Sequence, residues 1–388
     1  MKSKDDNKKI KKSFNVKALM NMDIKEIKNK IPYKKINVKK MLPEKKKKVV
    51  AFDIGSMVIK IAEGTYYKKE LIIDKCMKFS TPKGSVIDGE IKKDNELITR
   101  IKEFLNENKI HAKYGICTTN STTIINREIL IPNVEEEELD TVVRYEIQQY
   151  LPINLDDYVL QVKVLSEEKT IEGLDKLNVR VIAYPQKMAR SYYNLLEKLD
   201  LKPYALDVNY NAMEKLINYT QNRIENNNDN SIAYIDMGAE FINVNIYKNR
   251  NLDFTRIIKA GGNDIDDYLQ KLTGMSHDEL EKMKRNDINL YNDENADNFV
   301  VREVVNEWIE KIEKIINFYK NKSMGNNVDE IIIFGGSSEL NGIDKYFEEK
   351  LQITTKRIGD ISKVGFKLDS NNMPIDDFIN VIGSVIRL

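Results

Sequence analysis

Two kinds of sequence meet at Val49. Before it, apolar residues are scattered among lysines; after it, they come in runs and alternations of strand length. VVAFDIGSMVIKIAEGTYY and then ELIIDKCMKFS read as successive strands separated by turn residues, the opening of a β-meander. The spacing then predicts a helix over 95–108, strands over 114–119 and 122–131, and a helix over 134–151. Asn133 is the expected N-cap of that last helix. The run Glu135 to Glu138 in its first turn suits the positive end of the helix dipole better than it suits a metal. Strands over 158–165 and 177–184, a helix over 186–199, and a strand over 203–208 leading into a further helix complete the first half.

The opening pattern then returns. SIAYIDMGAEFINVNIYKNRNLDFTRIIKAGG repeats the order strand, Asp-x-Gly turn, strand, strand about 180 residues further on. This predicts an α/β protein of two related domains, 49–223 and 231–388, with a small α/β insertion over about 83–165 in the first. The polar run IENNNDN at 224–230 reads either as the crossing between domains or as a surface loop. The length of 388 residues agrees with two domains, since single cores stop growing at roughly 250–300 residues.

Composition narrows the class. With 41% hydrophobic and 32% charged residues, the chain can build real cores beneath a charged surface. No run reaches the roughly 18 apolar residues of a membrane span, and no apolar stretch of a signal peptide follows the N-terminal lysines, so a cytoplasmic protein is expected. Cys76 and Cys117 lie in apolar strand-like runs without C-x-x-C spacing, which argues against disulfides and zinc and makes them core thiols. His111 and His277 sit among charged residues beside predicted helices and read as surface side chains.

The net charge of +1 conceals an asymmetry. Residues 1–48 hold 18 Lys against 5 acidic side chains, about +13, which leaves about −12 for the rest. This arm contains Pro32 and Pro43 and no long apolar run, as a disordered tail does. The spacing of Leu19, Met20, Ile24, Ile27 and Ile31 also allows a short basic amphipathic helix with a weak hold on anionic lipid. No aromatic platform accompanies the lysines, so nucleic acid is not the expected partner.

Three short segments carry candidate chemistry. In Phe52-Asp53-Ile54-Gly55-Ser56 a tight turn joins two apolar strands. Gly55 lets the backbone approach a phosphate, successive N–H groups can form an anion nest, and Asp53 is placed to hold hydrated Mg²⁺. Lys60 reads either as a positive charge returning to that phosphate or as an exposed strand lysine. Ile235-Asp236-Met237-Gly238-Ala239 repeats the turn, so Asp236 would face the same metal across a cleft. Either turn alone reads as an ordinary hairpin; their matched topology favours a shared site. Ile331-Ile332-Ile333-Phe334-Gly335-Gly336-Ser337-Ser338 runs from an apolar strand into a glycine pair and a helix. It leaves room for a base or ribose, or simply makes a strand-to-helix turn. Gly261, Gly262 and Asn263 precede a helix opening at Asp264, where their N–H groups are expected to face a phosphate.

DIGSMVIK, IDMGAEF and IIIFGGSSEL, in that order, resemble the first phosphate, second phosphate and adenosine segments of the actin-like ATPase superfamily. Within it the chain is more similar to the PilM family of type IV pilus assembly than to the cell-division protein FtsA. The segments that carry this are RYEIQQYLPINLDDYVLQVKVL, VIAYPQKMARSYYNLLEKLDLKPYALDVN, TRIIKAGGNDI, GMSHDELEKMK and DFINVIGSVIRL. The resemblance covers nearly everything from Val49 to Leu388 and none of the arm. It implies an actin-like duplicated two-domain fold whose insertion replaces actin's usual subdomain and carries partner contacts. It further implies a cytoplasmic scaffold, peripheral at the inner membrane, that binds ATP with Mg²⁺. Its partner would be the N-terminal cytoplasmic segment of a bitopic PilN-like protein, with self-association left open.

Carried over by position, Asp53, Gly55, Ser56, Met57 and Lys60 fall in the first phosphate segment, and Asp236, Gly238, Ala239 and Glu240 in the second. Gly261, Gly262 and Asn263 follow, Glu281 and Lys284 lie in the ribose-side helix, and Gly335, Gly336 and Ser337 form the adenosine segment. Asp53 and Asp236 are the expected Mg²⁺ residues, acting through water.

One departure bears on turnover. Where many relatives have a Glu after the strand closing the first domain, LDVNYNAM has Asn209, with Asp207 two residues away. An amide orients water but takes no proton, so binding with slow or no hydrolysis is expected, a weak ATPase at most. Two other classes compete. An FtsA-like membrane-associated filament protein would carry an amphipathic C-terminal helix where this chain has VIGSVIRL. A small-molecule kinase of the superfamily would need a substrate pocket with a catalytic acid.

Overall fold

A computed structural model describes residues 46–151, 153–169, 175–221, 230–292, 296–359, 367–368 and 375–387. The basic arm up to residue 45, its amphipathic segment and the run 224–229 lie outside the described residues.

Each half opens with a meander, as the alternation of apolar runs and turns dictates. β1 (Lys48–Ile54), β2 (Val58–Tyr67) and β3 (Glu70–Ser80) pair antiparallel in sequence order. The hairpin β4 (Val86–Ile87) and β5 (Glu90–Ile91) leads to α1 (Asp94–Glu107) and then β6 (Tyr114–Thr119), which lies parallel to β1. The insertion follows: β7 (Ile125–Pro132), α2 (Leu139–Tyr150), β8 (Tyr158–Lys169) and β9 (Asp175–Pro185). α3 (Gln186–Lys198), β10 (Lys202–Val208) and α4 (Asn209–Gln221) return to the first sheet, where β10 lies parallel to β6.

The second half repeats the plan with β11 (Ser231–Met237), β12 (Ile242–Lys248) and β13 (Asn251–Ile258) antiparallel. α5 (Gly262–Thr273), α6 (His277–Asn286), α7 (Ala296–Lys322), β14 (Glu330–Phe334), α8 (Ile343–Leu351) and β15 (Thr355–Arg357) follow. β16 (Lys367–Leu368) adds to β3, and α9 (Ile379–Val385) ends the described chain. The sheet orders are β10-β6-β1-β2-β3-β16 and β13-β12-β11-β14-β15. Each therefore has a three-stranded meander continued by two parallel strands, so the repeat in sequence is a repeat in topology. Val49, Val50, Ala51 and Phe52 are buried in succession, as befits a strand covered on both faces.

The packing moves several expected boundaries. β4, α1 and β6 do not belong to the insertion: Val86, Leu97, Ile101 and Ile116 sit in the first core. The separate small sheet, β7-β9-β8, spans Ile125 to Pro185 and has its own core of Ile131, Val143, Ile147, Leu155, Leu177, Val179 and Val181. The second core, built around Trp308, Tyr319 and Phe347, stops before the C-terminal segment. Ile379, Val381, Ile382 and Val385 of α9 pack in the first core instead.

Local starts shift for identifiable reasons. The helix expected at 134 begins at Leu139, and Asn133 does not cap it: its N–H still bonds the Asp175 carbonyl at 3.2 Å, extending the sheet. The strand expected at 122 begins at Ile125 because Ser121 to Ile124 form a turn, closed at 3.2 Å. Both cysteines are free and buried, and burial pushes the Cys76 thiol up to about 12 and Cys117 higher still.

Candidate functional site

The ends of β1 and β11 meet at a cavity of about 380 Å³, and their turns are built alike. The Gly55 N–H donates to the Val58 carbonyl at 3.1 Å, and the Gly238 N–H to the Phe241 carbonyl at 2.9 Å. A Cβ on either glycine would lie 2.9 Å from that same oxygen, so each turn closes around a missing side chain. Across the ladders Asp53 faces Lys60 and Asp236 faces Asn243, and all four line the cavity. Gly55, Ser56, Met57, Gly238, Ala239 and Glu240 line it too.

One amide ties the two aspartates together. Asn380 on α9 donates to Asp236 Oδ2 at 2.9 Å and reaches Asp53 Oδ2 at 3.4 Å. Asn209, the first residue of α4, accepts from the Thr118 hydroxyl at 2.9 Å and lines the same cavity as Asp53, whose pKa its amide helps to lower. Burial raises the Asp53 pKa to about 6; Lys60 opposes the rise and Asp236 adds to it. Burial raises Asp236 as well, against Lys60 and the Asn380 hydrogen bond. Two carboxylates, Asp236 buried and Asp53 partly so, that share the field of one lysine fit a divalent cation, which would supply the missing positive charge. Asp207 is no substitute for Asn209: it pairs with Lys215 at 2.5 Å and Arg387 at 3.4 Å and is not a lining residue.

The glycines after each strand do different work from that expected. The Gly261 N–H donates to Asp264 Oδ2 at 3.0 Å, the Gly262 N–H to the Gly238 carbonyl at 3.0 Å, and the Asn263 N–H to the Ala239 carbonyl at 2.9 Å. These donors brace the second turn and are not presented to a phosphate. Gly262 and Asn263 still line the cavity, whereas Gly261 lies behind it, where a Cβ would meet the Ala239 carbonyl at 2.5 Å. Gly335 is also behind the wall; at φ +91° its Cβ would come within 2.7 Å of Asp236 Oδ1. Gly336 and Ser337 do line the cavity, and the Ser337 hydroxyl donates to the Gly238 carbonyl at 3.1 Å. The helix expected after the glycine pair is a 3₁₀ turn, Gly336–Glu339.

Another wall is charged. Glu281 and Lys284 line it with Asp266, and Lys284 Nζ lies 2.5 Å from Asp266 Oδ1 while also pairing with Glu281. His277 is exposed, as expected, and also borders this wall, with Nδ1 3.4 Å from Asp266 Oδ2. Asp266, His277 and Glu281 bring ligand atoms within 4.8 Å of one another, but the Lys284 ammonium already provides the cation. Arg285 meets Glu339 at 3.1 Å, and Lys78 of β3 joins Asp377 and approaches Glu339 at 3.9 Å.

Sequence reasoning missed Asn243, Asn380, Lys78, Asp266, Arg285, Glu339 and Asp377. Asn243 had a signal, since it follows Asp236 at the spacing with which Lys60 follows Asp53. Asn380 had another: an amide inside the apolar run FINVIGSV needs a buried partner.

Two sheets of one topology, each offering an Asp-x-Gly turn to a shared cavity, make an actin-like fold. Residues 51–375 match the family described as type IV pilus assembly protein PilM. The chain belongs to that family. Among solved structures it resembles a chain of a PilM-PilN type IV pilus biogenesis complex, at 19% identity and TM-score 0.73, covering 87% of this chain and 97% of that one. It also resembles the ethanolamine utilization protein EutJ from Carboxydothermus hydrogenoformans, at 12% identity and TM-score 0.50, covering 89% and 90%. At these identities the likeness shows the fold. Among the described residues no helix is long and apolar enough to cross a membrane.

Proposed function

We propose that this chain is a nucleotide-gated scaffold of type IV pilus assembly. It binds Mg-ATP in the cavity with slow or no hydrolysis, and captures the N-terminal cytoplasmic segment of a PilN-like inner-membrane protein. The observation that carries the nucleotide reading is the meeting of Asp53 and Asp236 at one cavity, at equivalent strand ends and on one amide, Asn380. Membership of the PilM family and the likeness to a chain of a PilM-PilN complex support the role and the partner.

In this reading Asp53 and Asp236 hold Mg²⁺ through water, and the cation offsets the charge of the phosphates. Gly55, Ser56, Met57, Gly238 and Ala239 bring backbone close to the phosphates, with Lys60 as the fixed positive charge. Glu281, Lys284, Gly336 and Ser337 border the ribose and base. Asn209 accepts from the Thr118 hydroxyl, and an amide at this position cannot take a proton from water, which supports slow turnover. Nucleotide that binds both halves favours their closed arrangement and so sets partner affinity. Holding a membrane protein's segment keeps the chain peripheral at the cytoplasmic face of the inner membrane.

The test is titration of a synthetic peptide, the N-terminal cytoplasmic segment of the PilN-like partner, into the full chain with and without Mg-ATP. Binding whose affinity changes at least about threefold with nucleotide supports the reading. No peptide binding in either condition sinks the scaffold, and brisk turnover stimulated by a sugar would favour a kinase.

A further inference from the structure

The second phosphate turn is tied across the cleft to the beginning of the insertion. Glu240, which lines the cavity, accepts the backbone N–H of Asp88 on its two oxygens at 3.2 and 3.3 Å. Asp88 sits between β4 and β5 at φ +47°, in the left-handed region. Its carboxylate in turn accepts the Thr122 N–H at 2.8 Å and the Thr122 hydroxyl. Thr122 lies in the turn that feeds β7, the first strand of the insertion.

A second link runs beside the first, since the Asn120 amide donates to Asn243 on β12. The β4–β5 turn has no slack against this loop. A Cβ on Gly89 would lie 2.4 Å from the Asn120 carbonyl, and the Tyr192 hydroxyl pins the Gly89 carbonyl at 2.7 Å. A side chain that faces the cavity is thus two hydrogen-bonded contacts away from the turn that feeds the insertion sheet.

We propose that Glu240, Asp88 and Thr122 form a relay by which occupation of the phosphate turn reaches the insertion subdomain. Its trigger rests on the nucleotide reading above; the relay itself does not. A phosphate arriving beside Gly238 and Ala239 brings negative charge to the cavity face that Glu240 lines, repels the carboxylate and weakens its hold on the Asp88 N–H. Coupling of this kind needs an element with two arrangements that both sites bias; here they are the loop 120–124 clamped by the Asp88 carboxylate and the same loop released from it. Once released, Asp88 no longer clamps Thr122, and the loop 120–124 gains freedom. Glu240 then senses phosphate instead of binding it.

Hydrogen exchange on the full chain tests this. Without nucleotide, Glu240→Ala is expected to raise exchange at residue 88 and over 122–132 by about fivefold or more, with β11 and β14 unchanged. Glu240→Gln, which keeps a carbonyl acceptor, is expected to stay near wild type. Unaltered exchange in Glu240→Ala overturns the relay whatever the cavity binds. With Mg-ATP, wild type is expected to show the same rise. Asp88→Gly, which accepts the left-handed φ but lacks the carboxylate, is expected to bind Mg-ATP within about threefold of wild type and show no nucleotide-dependent change over 125–132. A change that persists in Asp88→Gly, or is missing in wild type that binds nucleotide, overturns the relay. Failure of wild type to bind Mg-ATP overturns the nucleotide reading alone and leaves Glu240→Ala to decide.

Discussion

Burial sets the charge of the two aspartates before any ligand arrives. Asp53 titrates at about 6, and Asp236 is raised by the same desolvation. A carboxylate whose pKa is raised on folding binds its proton more tightly in the folded chain than in the unfolded one. In the empty protein Asp53 therefore costs stability as pH rises from about 4 to about 6, the reverse of a salt-bridged carboxylate. A cation between the two carboxylates has to displace that proton. Mg-ATP affinity is accordingly expected to fall as pH drops through about 6, by up to about tenfold per pH unit for each proton displaced. Calorimetry in buffers of different ionisation enthalpy should show proton release below about pH 6 and little at about pH 8; a flat profile would mean that the carboxylates are not engaged. Asn209→Glu places a proton acceptor where the amide stands and is expected to raise phosphate release at least about tenfold. A variant that binds nucleotide without that gain contradicts the account of slow turnover. These residues were legible to different depths. Asp53 and Asp236 stood out because a short pattern recurs in matched strands, and Asn243 could have been read from the same repeat. Asn380 could not be placed, because only the return of α9 brings it to β1 and β11.

Strands and helices followed the apolar spacing closely, and failures came where a strand's neighbour decides the outcome. The pattern of 114–119 gave a strand, yet nothing in it says that β6 pairs with β1 and so belongs to the first sheet. At 133 the ladder to Asp175 outlasts the helix signal, and α2 starts later than expected, at Leu139 instead of 134. α9 is the most telling element. It crosses α4 so closely that a Cβ on Gly383 would stand 2.1 Å from the Ala212 carbonyl, a backbone contact that no longer side chain permits. Gly383→Ala is expected to cost about 1–3 kcal/mol by overpacking, seen as a fall of several degrees in Tm. Because Asn380 rides on the same helix, Mg-ATP affinity should weaken in step. An unchanged Tm together with unchanged affinity would show that α9 is not seated as described.

The duplication is what makes a single cavity out of two ordinary turns. A meander continued by two parallel strands occurs in both halves, and each sheet sends one aspartate and one tight glycine turn to the same place. The sequence repeat already carried that architecture, because strand order and turn spacing are local properties copied along the chain. The extent of the insertion and the return of the C-terminal segment to the first core were not legible, since both depend on contacts between residues far apart in sequence. The most direct test of the central claim is calorimetric titration of Mg-ATP into wild type and Asp236→Ala, with circular dichroism to confirm that both are folded. The account predicts binding to wild type that weakens about a hundredfold or more in the variant and is likewise lost when Mg²⁺ is chelated. Equal binding by the two proteins, or no binding by wild type, would contradict it.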